Sequence, residues 1–474
     1  MDRNLTIGYV LAGRKNASRS LAKRIFALPF TAPLVLRTLA AMVTEVAPSV
    51  QHLGWDELLQ GEISKRFLKK VDLVFLSGLT TATYGMQRIA KMAKELGVPV
   101  IAGGSGVTCK YFGNPEVNLP ELLGHYDAVC VGRATPRIIA EIIEDHVSDK
   151  LRPMYVEQPD EPVSFIVPRH DLFRGRYLFN NVFQTSGGCL SSCNYCVVHR
   201  CLPGGKRCKI YCVPPNVIDK QLEMFAAHGS GRIFDAADSF GEDINHTYEV
   251  VLPRLADYSG GWMTEAKIKI LKGKDGKWSL LKAMAKAGNI VIFAGVEDLF
   301  NKFTSKQADI SDNEEFVRVA RGEGIVPVCA LMIGAAPNAV LEDVDRTIEW
   351  VRDNKVDVQG SLISALESSV LWEKAIKEGT LIDINPEHTD GAWPQVRHPN
   401  MRSEVLIKSL ERFYRECYSL SEIYSRLRTR GFTKNSILAA VAGLGVRTSA
   451  KSWFKKHDYI YWLNNRIHPD SLYP

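Results

Sequence analysis

Three cysteines at short, unequal spacing are the residues of this sequence best suited to chemistry. Cys189, Cys193 and Cys196 lie in GGCLSSCNYCVVHRC (187–201), directly after two glycines. Soft thiolates suit iron–sulfur clusters or zinc. A closed structural zinc site needs four ligands, and a [4Fe–4S] cluster also normally takes four cysteines. Three cysteines therefore predict a cluster with one iron left open for a small molecule.

Three further cysteines leave a second interpretation open. Cys201, Cys208 and Cys212 follow closely and could add ligands, which would make the segment a zinc knuckle, a pair of zinc sites or a second cluster. Basic residues crowd this segment, HRCLPGGKRCK (199–209). We predict the single open cluster and treat the three extra cysteines as bystanders.

The composition is that of an ordinary globular protein of two or three domains. The 474 residues are 46% hydrophobic and 24% charged, and ten cysteines in a chain of this length argue against a disulfide framework. The first apolar run is too short for a signal peptide, and no apolar stretch reaches about 18 residues. These features predict a cytoplasmic protein with reduced thiols.

The first third of the chain alternates apolar runs with helix-periodic segments. The apolar runs are 5–11, 72–78, 98–104 and 126–132, and the predicted helices are 33–46, 84–96 and 135–145. This alternation predicts an α/β domain with a doubly wound parallel sheet. Ligands of such sheets bind beyond the carboxyl ends of the strands. The predicted ends are rich in small residues: SGLTTAT (77–83), GGSGVT (103–108) and GRATP (132–136).

A second alternating series follows. Its predicted strands are 177–188, 231–238, 261–268, 289–297, 326–334 and 356–364, with helices predicted over 278–287, 313–322 and 341–353. Six strands of this kind predict a partial, TIM-like (β/α)6 barrel. The three cysteines follow the first strand, at the mouth where such barrels place their chemistry.

The stretch CLSSCNYC, with Tyr195 before the last cysteine, resembles the CxxxCxxC signature of the radical S-adenosylmethionine (SAM) superfamily. The resemblance implies a [4Fe–4S] cluster on Cys189, Cys193 and Cys196 whose open iron chelates SAM. It also implies an oxygen-sensitive enzyme that takes an electron from an external flavodoxin- or ferredoxin-type donor and splits SAM to a 5′-deoxyadenosyl radical. A cofactor of this kind attacks unactivated C–H bonds, which side chains cannot do.

Further segments resemble SAM-binding elements of the same superfamily. The residues that this resemblance implies are Tyr195 of the cysteine motif, Asp238 and Ser239 in FDAADSF, Glu265 and Lys267 in WMTEAKIK, Glu297 in GNIVIFAGVED, and Gly334 in LMIGAAP. Glu265 would hold the ammonium group of SAM and Lys267 its carboxylate. For each acid the alternative is a solvated or ion-paired strand terminus. ALESSVLW (365–372) departs from the family, in which a Pro-Gly-Thr segment is common at this place.

The sheet before the barrel resembles the cobalamin-binding domain of the B12-dependent subgroup. The matching stretches are FLSGLTTATYGMQRIAKMAKELGVPVIAGG (75–104) and YDAVCVGRATPRIIAEII (126–143). The cobalamin contacts that the resemblance implies are Ser77, Leu79, Thr80, Thr81, Gly103, Gly104, Gly132 and Arg133. The DxHxxG motif is absent, so the cofactor would be held base-off without a histidine ligand. Arg133 also replaces an expected acid, and some relatives keep the domain without the cofactor.

These assignments divide the chain into a cobalamin-type domain (1–149), a linker (150–176), the radical SAM barrel (177–400) and a C-terminal helical segment (401–474). Residues 402–474 carry 13 Lys/Arg and 6 Asp/Glu, so this tail holds the excess positive charge. The apolar run 435–446 predicts a buried helix. The alternative is a helix that contacts a membrane surface.

The predicted function is methylation of an unactivated carbon of a small-molecule or lipid substrate, with cobalamin as the methyl donor. The layout resembles bacterial family members that act on hopanoids, other lipids and tetrapyrrole pigments. Oxidation, ring rearrangement or carbon–carbon coupling without methyl transfer is one alternative. A non-catalytic zinc or cobalamin binding protein is another. We expect no nucleic-acid partner, because no β-barrel tail of the methylthiotransferase type is evident.

Overall fold

The computed structural model describes residues 5–14, 31–159, 161–175, 177–200, 209–229, 231–300, 304 and 308–471. They form two six-stranded parallel sheets with helices around them, and one short antiparallel pair. The predicted class is confirmed: a doubly wound sheet, a partial (β/α)6 barrel and a helical C-terminal segment follow one another along the chain.

The first sheet has the order β2-β1-β3-β4-β5-β6, and all its pairs are parallel. Its strands are β1 (Thr6–Leu11), β2 (Gln51–Asp56), β3 (Leu73–Ser77), β4 (Val100–Gly103), β5 (Ala128–Val131) and β6 (Met154–Val156). Every residue of β3 is buried, as expected for a parallel strand covered on both faces. Alternate residues of β3 belong to different cores, Val74 to one and Phe75 to the other.

Seven helices of the described residues accompany this sheet. They are α1 (Leu34–Val46), α2 (Glu57–Gln60), α3 (Lys65–Leu68), α4 (Thr83–Lys94), α5 (Ser105–Gly113), α6 (Pro115–His125) and α7 (Pro136–Val147). The predicted helices α1, α4 and α7 are confirmed. Each carries an apolar stripe that lies on the sheet.

Besides the short helices α2 and α3, four elements among the described residues of this region were not predicted from the sequence. Strand β2 is half-exposed at the edge of the sheet and lacks a continuous apolar run. Helix α5 begins at Ser105, so the predicted loop over 103–108 is wrong beyond Gly104. Helix α6 follows α5 directly. Strand β6 lies within the predicted linker, 150–176, and extends the first sheet at its other edge.

The second sheet has the order β14-β13-β12-β11-β10-β7, again with parallel pairs. Its strands are β7 (Asn181–Phe183), β10 (Ile233–Phe240), β11 (Trp262–Ala266), β12 (Asn289–Glu297), β13 (Val326–Met332) and β14 (Asp357–Ser361). The antiparallel pair is β8 (Ser186–Gly187) with β9 (Tyr211–Cys212). All six predicted strands of the barrel are confirmed.

The remaining helices surround this sheet and form the tail. They are α8 (Pro215–Ala227), α9 (Ile244–His246), α10 (Leu252–Ala256), α11 (Ile268–Lys272), α12 (Ser279–Lys286), α13 (Ile310–Gly322), α14 (Leu341–Asp353), α15 (Val370–Lys377), α16 (Ser403–Cys417), α17 (Leu420–Arg430), α18 (Lys434–Lys456) and α19 (Tyr459–Asn465). One π-helical turn, Thr247–Val251, joins α9 to α10.

Helix α16 covers the free edge of the barrel. The Tyr414 hydroxyl accepts a hydrogen bond from the Gly360 N–H (3.1 Å) and donates one to the Gly360 carbonyl (2.7 Å). The Tyr418 hydroxyl does the same for Val358, at 3.2 Å and 2.6 Å. A Cβ at Gly360 would lie 2.6 Å from the Phe413 ring, so only glycine lets the helix pack this closely. Two tyrosines thus pair with edge strand β14 in place of a further strand.

The tail shares the core of the barrel. Phe413 of α16 and Trp462 of α19 belong to the same buried cluster as Trp262 and Ile292. The predicted buried helix over 435–446 lies within α18, but it is buried on one face only. Of the described helices, none is both long and apolar enough to cross a bilayer.

Candidate active site

One cavity of about 570 Å³ lies between the two sheets. The carboxyl ends of β3, β4 and β5 form one wall through Ser77, Gly103 and Gly132, and the barrel contributes Gly188 and Asp238 to the other. Asp238, one of the predicted SAM contacts, therefore lines the same cavity as several predicted cobalamin contacts.

A further part of the cavity wall, away from the strand ends, is almost wholly apolar. Helix α1 contributes Leu39 and Met42, helix α7 contributes Ile139 and Ile142, and the sheet contributes Phe75. We call this part of the wall the apolar slot. It suits a large ligand with a hydrophobic group, because binding in the slot removes apolar surface from water.

Glycine backbone forms the mouth of the first sheet. Gly104 has φ +90°, and a Cβ there would lie 2.6 Å from the Ser77 hydroxyl oxygen. The Gly132 N–H donates a 3.3 Å hydrogen bond to the Thr108 hydroxyl, and Gly132 has φ +86°. Side chains at these two glycines would be strained and would narrow the cavity. The sheet thus offers main chain to a ligand at close range.

Five of the eight predicted cobalamin contacts line this cavity: Ser77, Gly103, Gly104, Gly132 and Arg133. Leu79, Thr80 and Thr81 lie on the loop after β3 and are not part of its lining. Leu79 is 67% exposed. All eight positions stay predictions as cobalamin contacts.

Arg133 joins the first sheet to the barrel. Its guanidinium pairs with Glu157, whose side chain is only 1% exposed, and its N–H donates a 2.8 Å hydrogen bond to the same carboxylate. The guanidinium carbon also lies 5.6 Å from the centre of the Tyr211 ring, in cation–π range. Glu157 thus places a buried carboxylate against the GRATP turn. Sequence reasoning missed it because it stands 24 residues away.

Two carboxylates of β10 hold the segment that leads to the first cysteine. Asp235 accepts hydrogen bonds from the Thr185 N–H (3.0 Å) and the Thr185 hydroxyl (2.6 Å). Asp238 accepts one from the Gly188 N–H at 2.7 Å. A Cβ at Gly187 would collide with the Tyr211 ring. The glycines before Cys189 thus permit a tight approach that the two acids fix.

Burial changes the acidity of both acids. It raises the pKa of Asp235 to about 7, although the hydrogen bonds from Thr185 and Ala237 act in the opposite direction. The cavity walls desolvate the Asp238 carboxyl and raise its pKa too, again against the Gly188 hydrogen bond. Asp238 was predicted to bind SAM. The structure places it on the cavity wall, where it holds the cysteine loop.

Cys189, Cys193 and Cys196 lie on one loop, and Cys193 is buried. The Cys196 N–H donates a 3.1 Å hydrogen bond to the Cys193 carbonyl, which closes a turn between the last two cysteines. Within the described ranges, no three His, Cys, Asp or Glu side chains are grouped closely enough to hold a metal ion. Three soft donors from one loop still fit an iron–sulfur cluster by their chemistry. The cluster on these three residues stays a prediction from their spacing.

The segment that departs from the family pattern anchors this loop. The Leu371 N–H donates a 2.8 Å hydrogen bond to the Asn194 carbonyl. Arg200 donates from Nε to the Ser368 carbonyl at 3.0 Å and forms an ion pair with Glu373. Ser368 is buried and has φ +71°, a strained conformation for serine. ALESSVLW and the start of α15 thus position the cysteine loop, a role that no sequence signal revealed.

Glu297 and Tyr195 meet at the mouth of the barrel. Glu297 is 4% exposed and has φ +67°, next to a register shift between β12 and β13. Burial, the Glu297 carboxylate and the Cys193 thiol all raise the pKa of Tyr195. Strain of this kind at a non-glycine residue is typical of functional sites. The structure therefore brings these two predicted SAM contacts beside a cysteine of the motif.

The other predicted SAM contacts are more dispersed. Lys267 forms an ion pair with buried Glu242, and its contact with SAM stays a prediction. Glu265 is exposed on β11. Ser239 is buried, and its hydroxyl has no hydrogen-bond partner within the described part of the chain. Gly334 lines a smaller cavity of about 190 Å³ that also touches Asn194 of the cysteine loop.

Among the extra cysteines, Cys212 lies on β9. Burial and a hydrogen bond with Asp243 raise the pKa of its thiol to about 11, which disfavours the thiolate that a metal needs. Cys201 and Cys208 lie outside the described residues.

Comparison with known proteins gives one sequence relative. No protein-family model matches the chain. The hopanoid C-2 methylase of Rhodopseudomonas palustris (strain TIE-1) is 24% identical over 335 residues, which cover 67% of this chain. The chain spans 60% of the length of that methylase.

Solved structures match over nearly the whole chain. The radical SAM methyltransferase TsrM from Kitasatospora setae, with cobalamin and a [4Fe–4S] cluster bound, gives a TM-score of 0.62 at 14% identity and covers 95% of this chain and 99% of that chain. The cobalamin-dependent radical SAM enzyme OxsB, with aqua-cobalamin and SAM bound, also gives 0.62 at 14%, over 97% and 72%. These likenesses confirm the predicted fold.

Proposed function

We propose that this chain is a radical SAM enzyme that uses a [4Fe–4S] cluster, SAM and cobalamin to methylate an unactivated carbon of a small-molecule or lipid substrate. The observation that carries the proposal is the shared cavity. Gly104 and Gly132 of the first sheet face Gly188 and Asp238 of the barrel across it. A protein that only bound zinc or cobalamin would not need residues of both sheets around one cavity.

The chain's own residues have distinct tasks in this proposal. When bound, the cluster, SAM and cobalamin supply the electron, the radical chemistry and the methyl group. Cys189, Cys193 and Cys196 hold the cluster, while Asp235 and Asp238 fix the start of their loop. SAM would bind beside Glu297 and Tyr195, which lie next to Cys193.

The first sheet would hold the corrinoid by shape rather than by a metal–ligand bond. DxHxxG is absent from the sequence, and the cavity wall offers glycine backbone and the apolar slot between α1 and α7. This main-chain mouth and apolar lining would hold a corrinoid without a histidine ligand. The substrate class is supported by the two named relatives, a hopanoid methylase and a structure of TsrM with tryptophan bound. An external electron donor of the flavodoxin or ferredoxin class completes the proposal.

The proposal is tested by anaerobic reconstitution of the full chain with iron, sulfide and cobalamin. We expect a brown protein with about four irons per chain and a bound corrinoid. With a chemical reductant, SAM and a lipid or small-molecule substrate, we expect a methylated product and S-adenosylhomocysteine. Product analysis by mass spectrometry separates methyl transfer from oxidation, rearrangement or coupling, which yield no S-adenosylhomocysteine.

A matched pair of cysteine variants makes the test specific. Cys193→Ala should lose the cluster and all SAM chemistry, whereas Cys417→Ala, a buried cysteine of α16, should keep both. Zinc in place of iron, or SAM without effect on the cluster spectrum, would overturn the proposed function.

A further inference from the structure

The solvent-exposed face of helix α18, its outer face, is apolar, whereas the exposed face of a surface helix is usually polar. Ile437, Leu438, Val441 and Leu444 are 45%, 40%, 53% and 40% exposed. At about 100° per residue these four side chains fall within an arc of roughly 120°. The opposite face is already used, because Ala440, Val446, Trp453 and Phe454 pack against the barrel core.

Phe432 extends the same apolar surface. It follows Gly431, which ends α17 with φ +74°, and it is 65% exposed. Large side chains exposed singly are common on soluble proteins. Five in one thirteen-residue stretch, residues 432–444, mark an interaction surface.

The charge on α18 has one sign. Residues 434–457 contain Lys434, Arg447, Lys451, Lys455 and Lys456 and no acidic residue. The four lysines are exposed, and by helical geometry they fall close to the same arc as the apolar side chains. Arg447 instead donates to the Tyr418 carbonyl at 3.1 Å. Within the described residues none of these lysines forms an ion pair.

We propose that the outer face of α18 docks onto an anionic membrane surface, with Phe432, Ile437, Leu438, Val441 and Leu444 at the headgroup boundary and the lysines on the phosphates. Apolar insertion combined with basic flanks is how interfacial helices bind bilayers. A second copy of the chain is disfavoured as the occupant, because a two-fold contact would set lysines against lysines. The inference concerns a partner of the tail and is independent of the proposed activity.

The test is co-sedimentation of the full chain with phosphatidylcholine vesicles that contain or lack phosphatidylglycerol, at low and high salt. We expect binding to the anionic vesicles only, weakened by salt. K451Q/K455Q/K456Q should lower the partition coefficient on the order of a hundredfold, since each lysine near such a surface contributes about a factor of five. V441D/L444D should lower it by at least about tenfold.

Matched controls separate surface binding from misfolding. V147D changes a valine that is 71% exposed at the end of α7 and should bind vesicles like the wild type. All variants should keep the wild-type circular dichroism and iron content, because only exposed side chains change. A wild-type chain that stays in the supernatant, or α18 variants that bind normally, would overturn the proposal. The proposal would also be overturned if the wild-type chain bound no vesicles and formed a dimer in analytical ultracentrifugation that V441D/L444D dissociates.

Discussion

The two mouths that face the shared cavity are built from different materials. The first sheet presents glycine backbone and aliphatic walls, and its one charged group, Arg133, is already paired with Glu157. The barrel contributes Asp238 to the same cavity. Behind that wall its buried carboxylates contact the cysteine segment: Asp235 at Thr185, Asp238 at Gly188 and Glu297 at Tyr195. The first mouth is thus defined by shape, and the barrel's side is held by carboxylates.

The difference teaches how each side should respond to mutation. A shape-built site is sensitive to added atoms and tolerant of lost polar groups, because close packing sets its affinity. A charge-built site is sensitive to neutral replacements of the same size, because a buried carboxylate is there to accept specific hydrogen bonds. The predictions below test this contrast in order of expected effect.

Gly104→Val should abolish corrinoid binding. The new Cβ would lie 2.6 Å from the Ser77 hydroxyl, and φ +90° is strained for valine. We expect affinity for cobalamin to fall by at least roughly a hundredfold, with unchanged iron content, measured by the visible spectrum after gel filtration. Gly97→Val is the control, because Gly97 has φ +69° and open space around it. Equal loss in both variants would show that strain alone, and not occupation of the mouth, is responsible.

Glu297→Gln should impair the barrel far more than Ser77→Ala impairs the first sheet. Glu297 is buried beside Tyr195 and Cys193, so its charge is part of the arrangement. We expect SAM cleavage to fall roughly tenfold or more, the cost of a buried charged hydrogen bond. Ser77→Ala should change corrinoid affinity by less than about threefold, no more than a weak neutral hydrogen bond contributes. Isothermal titration and product quantification measure both effects, and similar losses would end the distinction between the two mouths.

Arg133→Met should destabilise the folded chain because it leaves Glu157 as an unpaired buried carboxylate. We expect the free energy of unfolding to fall by about 2–3 kcal/mol, discounted from the full buried-pair value because Arg133 is partly exposed. Lys65→Met breaks the exposed Lys65–Glu95 pair and should leave the unfolding midpoint almost unchanged. Urea denaturation measures both. If Arg133→Met/Glu157→Gln is no more stable than Arg133→Met, the unpaired charge is not the cause.

Asp235→Asn should change how stability depends on pH. Burial raises the pKa of Asp235 to about 7, so the folded state holds a proton that the unfolded state releases near pH 4. The contribution of this carboxyl to stability is therefore full below about pH 4 and is lost as the pH rises through about 7. Wild type minus variant stability should be greater at pH 5 than at pH 8. A constant difference between the two pH values would show that Asp235 stays ionised when folded.

Most of the fold could be predicted from the sequence, because most of its strands are continuous apolar runs. The runs at 72–78 and 289–297 are apolar enough to identify buried parallel strands, and their alternation with helices leaves few topologies. The place of the cysteine loop followed from that topology. Strand β2 and helix α5 were missed because QHLGWD is half-exposed and SGVTCKYFG has little helical propensity.

The candidate site was predicted less completely, because its supporting contacts join distant parts of the chain. Asp235 reaches Thr185 across 50 residues, and Arg200 reaches Ser368 across 168. Local patterns carry no information on such pairs. The cavity's apolar slot was also missed, since Leu39, Met42 and Ile142 read only as the buried stripes of two helices.

The two tyrosine hydroxyls that bond to strand β14 cover a sheet edge that could otherwise pair with another chain. An open parallel sheet ends in a strand whose N–H and carbonyl groups invite another chain to add to it, which is how edge-to-edge aggregation begins. Tyr414 and Tyr418 occupy those groups at Gly360 and Val358. A chain cut before α16 would expose these unpaired groups of β14. The tail is therefore expected to prevent aggregation as well as to complete the core.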